Sequence, residues 1–116
     1  MYMRFESEIV AEEILPAIRK IIADRLHYDY GYTQEEIARK LEVTQPAVSQ
    51  YLKGKRSDGK IVDILQEDPQ TDVVLDDVVS RAAKDEHFAN EIRHVVQTSR
   101  DKGLFKEKFK DAERCL

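Results

Sequence analysis

Gln45, Ala47, Ser49 and Gln50 stand close together in the chain, and their side chains suit one kind of chemistry. A glutamine amide sets a donor beside an acceptor and so matches the N6 and N7 edge of adenine. A serine hydroxyl serves several acceptors, and an alanine methyl can meet the methyl of thymine. Just beyond them come Lys53, Lys55 and Arg56, cations of the kind that hold phosphate oxygens at the margin of a base-reading surface. A helix shaped only for solubility would carry Glu and Lys on its outer face. Glutamine and serine there point instead to hydrogen bonding with the edges of base pairs.

The elements that would position these residues follow from local spacing. Thr33 and Glu36 have the form of a capping box, in which hydroxyl and carboxylate each satisfy an orphan backbone donor, so a helix begins there. Ile37, Ala38 and Leu41 share one face of it, leaving Arg39 and Lys40 toward water. Thr44 is a second N-cap, and Pro46 falls in the next first turn, where its missing N–H has no partner to lose. Val48, Tyr51 and Leu52 give the second helix an inward face. Pro46, Ser49, Gln50 and Lys53 lie opposite, with Gln45 and Ala47 flanking the helix start and Gly54 closing it. The spacing thus predicts two short helices joined by a turn of about three residues, the second over residues 44–53. Helix pairs also pack this way in proteins that never touch DNA, so the polar face of the second helix, not the pairing, carries the inference.

The run T-Q-E-E-I-A-x-K-L-x-V-T-Q-x-x-V-S-x-Y-L over residues 33–52 resembles the Cro/λ-repressor-like (Xre-type) helix-turn-helix transcriptional regulators. With I-L-P-A-I-R at Ile14 to Arg19 and G-K-R at Gly54 to Arg56, the likeness extends over most of residues 8–56 to an archaeal group of such regulators. The resemblance implies an all-α, λ-repressor-like domain of about five helices, usually dimeric, with residues 44–53 as the recognition helix. It also implies that Gln34 touches phosphate and braces Gln45 against a base. Two departures stand out. Many members have glycine where this chain has Glu42, because the turn there needs positive φ. Members of the archaeal group often end in cysteine pairs able to hold a metal, whereas Arg93 to Val96 reads R-x-x-V and Cys115 is the only cysteine.

Composition bounds the rest. A chain of 116 residues, 41% hydrophobic, is long enough to bury a core without disulfides or metal, and one helical domain over 1–116 is expected. A lone cysteine suits a reducing compartment, no run of about 18 apolar residues occurs, and the N-terminus lacks the apolar stretch of a signal peptide, so a cytoplasmic location and no membrane contact are expected. The net charge of −4 is unevenly spread. Residues 39–60 hold six bases against two acids, and residues 61–84 hold six acids against two bases. The positive charge sits beside the glutamines, where counterion release from phosphates would reward it.

The remaining segments read as support. Ile14, Ile18, Ile21, Ile22 and Leu26 follow helical spacing, with Pro16 marking either a helix start or a kink. Tyr28, Tyr30 and Tyr32 around Gly31 are expected to pack against helix ends. Ile61, Ile64 and Leu65 suggest a short helix ended by Pro69. Val73, Val74, Val78, Val79 and Ala82 suggest another, capped by Thr71, and Phe88, Ile92, Val95 and Val96 a third, capped by Asp85. Leu104, Phe105 and Phe109 form an amphipathic tail. A core of residues 8–66 would then carry a C-terminal extension, residues 70–116, available for dimerisation. The histidines His27, His87 and His94 show no zinc-ligand spacing, and no glycine-rich phosphate loop is present.

These readings assemble into a DNA-binding transcription regulator that is not an enzyme and needs no cofactor or metal. It would bind a palindromic double-stranded operator as a homodimer, reading bases with Gln45, Ala47, Ser49 and Gln50 and holding phosphate with Gln34, Thr44, Lys53, Lys55 and Arg56. A protein-interaction module, or a ligand sensor with a pocket at Phe88, Val95 and Phe105, is the alternative.

Overall fold

The apolar spacing from Ile14 to Leu26 produces the helix around which the other elements pack. In the computed structural model, which describes residues 4–110, the chain enters through α1 (Glu6–Ile9) and a π-helical turn (Val10–Ile14) and continues as α2 (Leu15–Tyr28). Pro16 and the π turn belong together. A proline inside an α-helix lacks an N–H and clashes with the carbonyl four residues back. Here the Leu15 N–H reaches the Val10 carbonyl with π-type bonding, and Pro16 falls in the first turn of α2.

Then follow α3 (Gln34–Leu41), α4 (Gln45–Leu52), α5 (Gly59–Glu67), α6 (Pro69–Ala83), α7 (Ala89–Asp101) and α8 (Lys106–Phe109). Ile18, Ile21, Ile22 and Leu26 of α2 are fully buried, together with Ile37, Val48, Leu65, Leu75, Val78 and Val95 from the later helices. Each such side chain contributes on the order of 1.5–3 kcal/mol. The helices α4, α5 and α6 lie against α2, and α7 packs on α6. One buried cluster runs from Ile9 to Phe105. Ion pairs from Arg100 to Glu6 (2.6 Å) and from Lys108 to Glu13 (2.7 Å) bring the last described helices back to the N-terminal turns. Cys115 and the end of the extension lie outside the described residues.

The second half departs from the expected pattern in its phase. Asp68, not Thr71, caps α6: its carboxylate accepts from the Thr71 N–H (2.9 Å) and hydroxyl (2.8 Å). Lys102 Nζ also lies 2.6 Å from it, and the Thr71 side chain is buried. A helix that starts at Pro69 turns Thr71, Leu75, Val78, Val79 and Ala82 inward and leaves Val73 68% exposed. On α5, Val62 joins Ile61 and Leu65 in the core, and Ile64 faces out. Asp85 does not cap α7. At φ +58° it adopts the left-handed turn that ends α6, with the Glu86 N–H bonded to the Arg81 carbonyl at 2.9 Å. Of the three tyrosines only Tyr32 packs in, its hydroxyl 3.4 Å from the Ala83 carbonyl. Tyr30 stacks on it, and Tyr28 points to solvent.

Candidate nucleic-acid interface

Both ends of α3 are set by residues that the chain supplies locally. The Glu36 N–H donates to Thr33 Oγ1 (3.2 Å) and the Thr33 N–H donates to Glu36 Oε1 (3.0 Å), closing the capping box. The bond from the Thr33 N–H holds the Glu36 carboxyl below the usual carboxylate range. At the other end Glu42 takes the left-handed conformation, φ +56° and ψ +44°, and the Val43 N–H returns to the Ala38 carbonyl at 3.0 Å. The turn thus has the geometry for which glycine is suited, and a glutamate bears the strain.

Thr44 starts α4 by accepting from the Ala47 N–H at 3.2 Å, which leaves its own hydroxyl proton for an outward acceptor. Pro46 occupies the first turn. Val48, Tyr51 and Ala47 face the core, and Gln45, Pro46 and Gln50 are exposed with Ser49 half-buried beside them. Ala47 is therefore corrected as a base-reading candidate. The residue is only 4% exposed, because residues four apart on a helix stack and Ala47 shares the inward face with buried Tyr51. Gln34, at the first position of α3, is half-buried, and no hydrogen bond joins it to Gln45 among the described residues.

The end of α4 folds back sharply. Gly54 at φ +73° lets its own N–H reach the Tyr51 carbonyl and the Lys55 N–H reach the Gln50 carbonyl, each at 2.9 Å. Lys53, Lys55, Arg56 and Lys60 are all exposed along this return, and Asp58 caps α5 through the Lys60 N–H at 2.8 Å. Arg56 turns back so that its Nε–H donates to Gln50 Oε1, with its guanidinium carbon 5.8 Å from the centre of the Tyr51 ring.

Residues 21–66, from the middle of α2 to the end of α5, match the helix-turn-helix family model. The match covers 46 of the 116 residues, and over that stretch the chain is similar to helix-turn-helix domains. No curated protein and no solved structure shows significant similarity to the chain. The family is one of DNA-binding domains of transcription regulators, not of enzymes, and its partner is double-stranded DNA. The all-α, λ-repressor-like arrangement of the helices agrees with it.

Within the helix-turn-helix one cation is not where its spacing placed it. Lys40, expected to face water, has a side chain only 6% exposed. Its Nζ donates to the carbonyls of Ala82 (3.2 Å) and Ala83 (3.4 Å), pairs with Asp85 (3.0 Å), and lies 4.8 Å from the centre of the Tyr32 ring. It thus neutralises the negative end of α6 and is removed from the basic surface. Helical spacing does not signal this, since all of its hydrogen-bond partners lie more than 40 positions away.

A cleft of about 350 Å³ opens between the helix-turn-helix turn and the α6–α7 corner, lined in part by Arg39, Glu42, Glu86, His87, Phe88 and Ile92. Of the pocket residues suggested by the sequence only Phe88 is in it; Val95 and Phe105 are core residues. Among the described residues no three His, Cys, Asp or Glu side chains are grouped to hold a metal. No helix there is long and apolar enough to cross a membrane.

Proposed function

We propose that the chain is a sequence-specific transcription regulator that lays α4 in the major groove of operator DNA. The supporting observation is the outer surface of α4 and its return loop. Gln45, Ser49 and Gln50 project from one side of a helix whose opposite side is anchored in the core, and the exposed cations Lys53, Lys55 and Lys60 continue directly from them. The glutamine and serine side chains would contact base edges. Gln34, Thr44, Lys53 and Lys55 would contact phosphates, where they fix register rather than sequence.

A single helix-turn-helix reads few base pairs. Two copies related by a twofold axis would read half-sites one DNA turn apart, about 34–36 Å, so a homodimer on a palindromic operator is the natural assembly. Sedimentation that finds only monomer at high micromolar concentration, with and without DNA, would rule it out.

Selection of bound sequences from random duplexes, followed by a salt titration, tests the reading as a whole. A motif should emerge, and affinity should fall steeply with salt in proportion to the phosphates neutralised. Recovery of no motif, with affinity indifferent to salt, removes the proposal.

A second reading rests on the cleft. Its walls include Glu42 of the turn and Phe88 and Ile92 of α7, so a small molecule seated there would touch the DNA-binding unit and the extension at once. A thermal-shift screen that yields no stabilising compound would leave the bare DNA binder.

A further inference from the structure

We infer that Gln50 and Arg56 act as one unit that reads guanine, rather than as an adenine-reading glutamine beside a phosphate-holding arginine; this rests on the DNA-reading role proposed for α4. The starting point is the hydrogen bond from Arg56 Nε–H to Gln50 Oε1 across the end of the helix. The backbone makes this approach possible. With Gly54 at φ +73° and the Lys55 N–H returned to the Gln50 carbonyl, the chain doubles back over the last turn of α4 and carries Arg56 to the side of Gln50. Tyr51, 4% exposed and fixed in the core, places its ring 5.8 Å from the guanidinium carbon and gives Arg56 a rigid platform.

This contact changes what the glutamine can recognise. To read adenine a glutamine donates to N7 and accepts from the N6 amino group, so it needs its carbonyl oxygen turned to the base. Here one of the two lone pairs of Oε1 is taken by Arg56, and a fixed positive charge stands next to the other. An amino group approaching that oxygen meets the guanidinium. What the pair offers outward is the Gln50 amide N–H groups and the two Arg56 Nη groups, which have no partner among the described residues. A surface of donors matches the major-groove edge that presents acceptors only, the O6 and N7 of guanine, and arginine is the side chain best shaped for that edge. Arg56 is then the main specificity residue, and Gln50 both orients it through Oε1 and adds its own amide N–H to the donor surface.

The test is parallel selection from random duplexes with the wild-type chain, Arg56→Ala and Gln50→Ala, each followed by affinity measurements on duplexes differing at one base pair. Both residues are exposed, so both variants keep the core intact. The wild type should fix a guanine at one position of each half-site, preferred over adenine by on the order of tenfold. In Arg56→Ala the glutamine oxygen is released and the preference at that position should pass to adenine. In Gln50→Ala the untethered arginine should lose most of the preference. If Arg56→Ala weakens all sequences alike and lowers the salt slope by about 0.9, Arg56 is a phosphate contact and the inference fails while DNA reading stands. Retention of the full guanine preference in Gln50→Ala also overturns it. A wild type that selects no motif removes both the unit and the proposed function.

Discussion

Lys40 Nζ lies 3.0 Å from Asp85 Oδ1, which ties the first helix of the helix-turn-helix to the corner joining α6 to α7. The same ammonium caps the Ala82 and Ala83 carbonyls, so one side chain serves the end of a helix that begins in the acidic half of the chain. Removing it while keeping its stem isolates that role. Lys40→Met should lose about 1.5–3 kcal/mol in urea denaturation, because the two carbonyls are left without their charged donor. The salt slope of DNA binding should not change, since Lys40 does not face the phosphates. Asp85→Asn should cost less than about 1 kcal/mol, Asp85 being 80% exposed.

Glu42 stores strain in the turn. A non-glycine residue in the left-handed region costs about 1–2 kcal/mol, and glycine recovers this at an entropic cost of about 0.5–1 kcal/mol. Glu42→Gly should therefore stabilise the fold by about 0.5–1 kcal/mol in chemical denaturation. A loss of stability would mean that the Glu42 side chain contributes more than its backbone conformation costs.

What could be read from the sequence was what neighbours within one turn determine. Thr33 with Glu36, Thr44 with Pro46, and Gly54 each set a helix end through groups at most four residues away, and each is found as the spacing predicts. What the spacing did not reveal depends on how distant segments meet. The burial of Lys40 is made by residues 82–85. The inward turn of Ala47 depends on how α4 rotates against α2, and an alanine fits either face of a helix. On α6 a run of valines left the phase open, and the Asp68 cap settled it by starting the helix at Pro69, which brought Leu75 in and turned Val73 out. The hydrogen bond between Gln50 and Arg56 crosses a helix end, where helical periodicity no longer says which side chains meet.

The Asp68 carboxylate should impose an acid limit on stability. Its pKa is lowered from 3.8 to about 2, first by the hydrogen bond from Lys102 and then by the Thr71 N–H. A carboxylate whose folded pKa is depressed contributes fully above its unfolded pKa and loses that contribution as pH falls through the folded one. Between about pH 4 and pH 2 the unfolded chain binds the proton and the folded chain does not, so stability should fall with pH across that window. Asp68→Asn should be less stable than wild type at pH 7 and should show a shallower decline from pH 4 to pH 2 in thermal melts. Parallel curves for the two proteins would show that the pairing contributes nothing.

The division between base and phosphate contacts predicts two classes of DNA-binding variant. Gln45 and Ser49 lie on the outer side of α4, so Gln45→Ala and Ser49→Ala should each relax preference at one base pair, by about 1–3 kcal/mol for a bidentate contact and less for a single hydroxyl. Lys55 follows the helix end with its side chain exposed, and a cation there would hold phosphate without regard to sequence. Lys55→Ala should weaken binding to all duplexes alike and lower the salt slope by about 0.9. Affinities of the three variants for a selected site and its single-base-pair derivatives, each at several salt concentrations, separate the classes. If all three lose affinity equally on every sequence with the same change in slope, the outer face of α4 contacts only the backbone, and the specificity assigned to it is wrong.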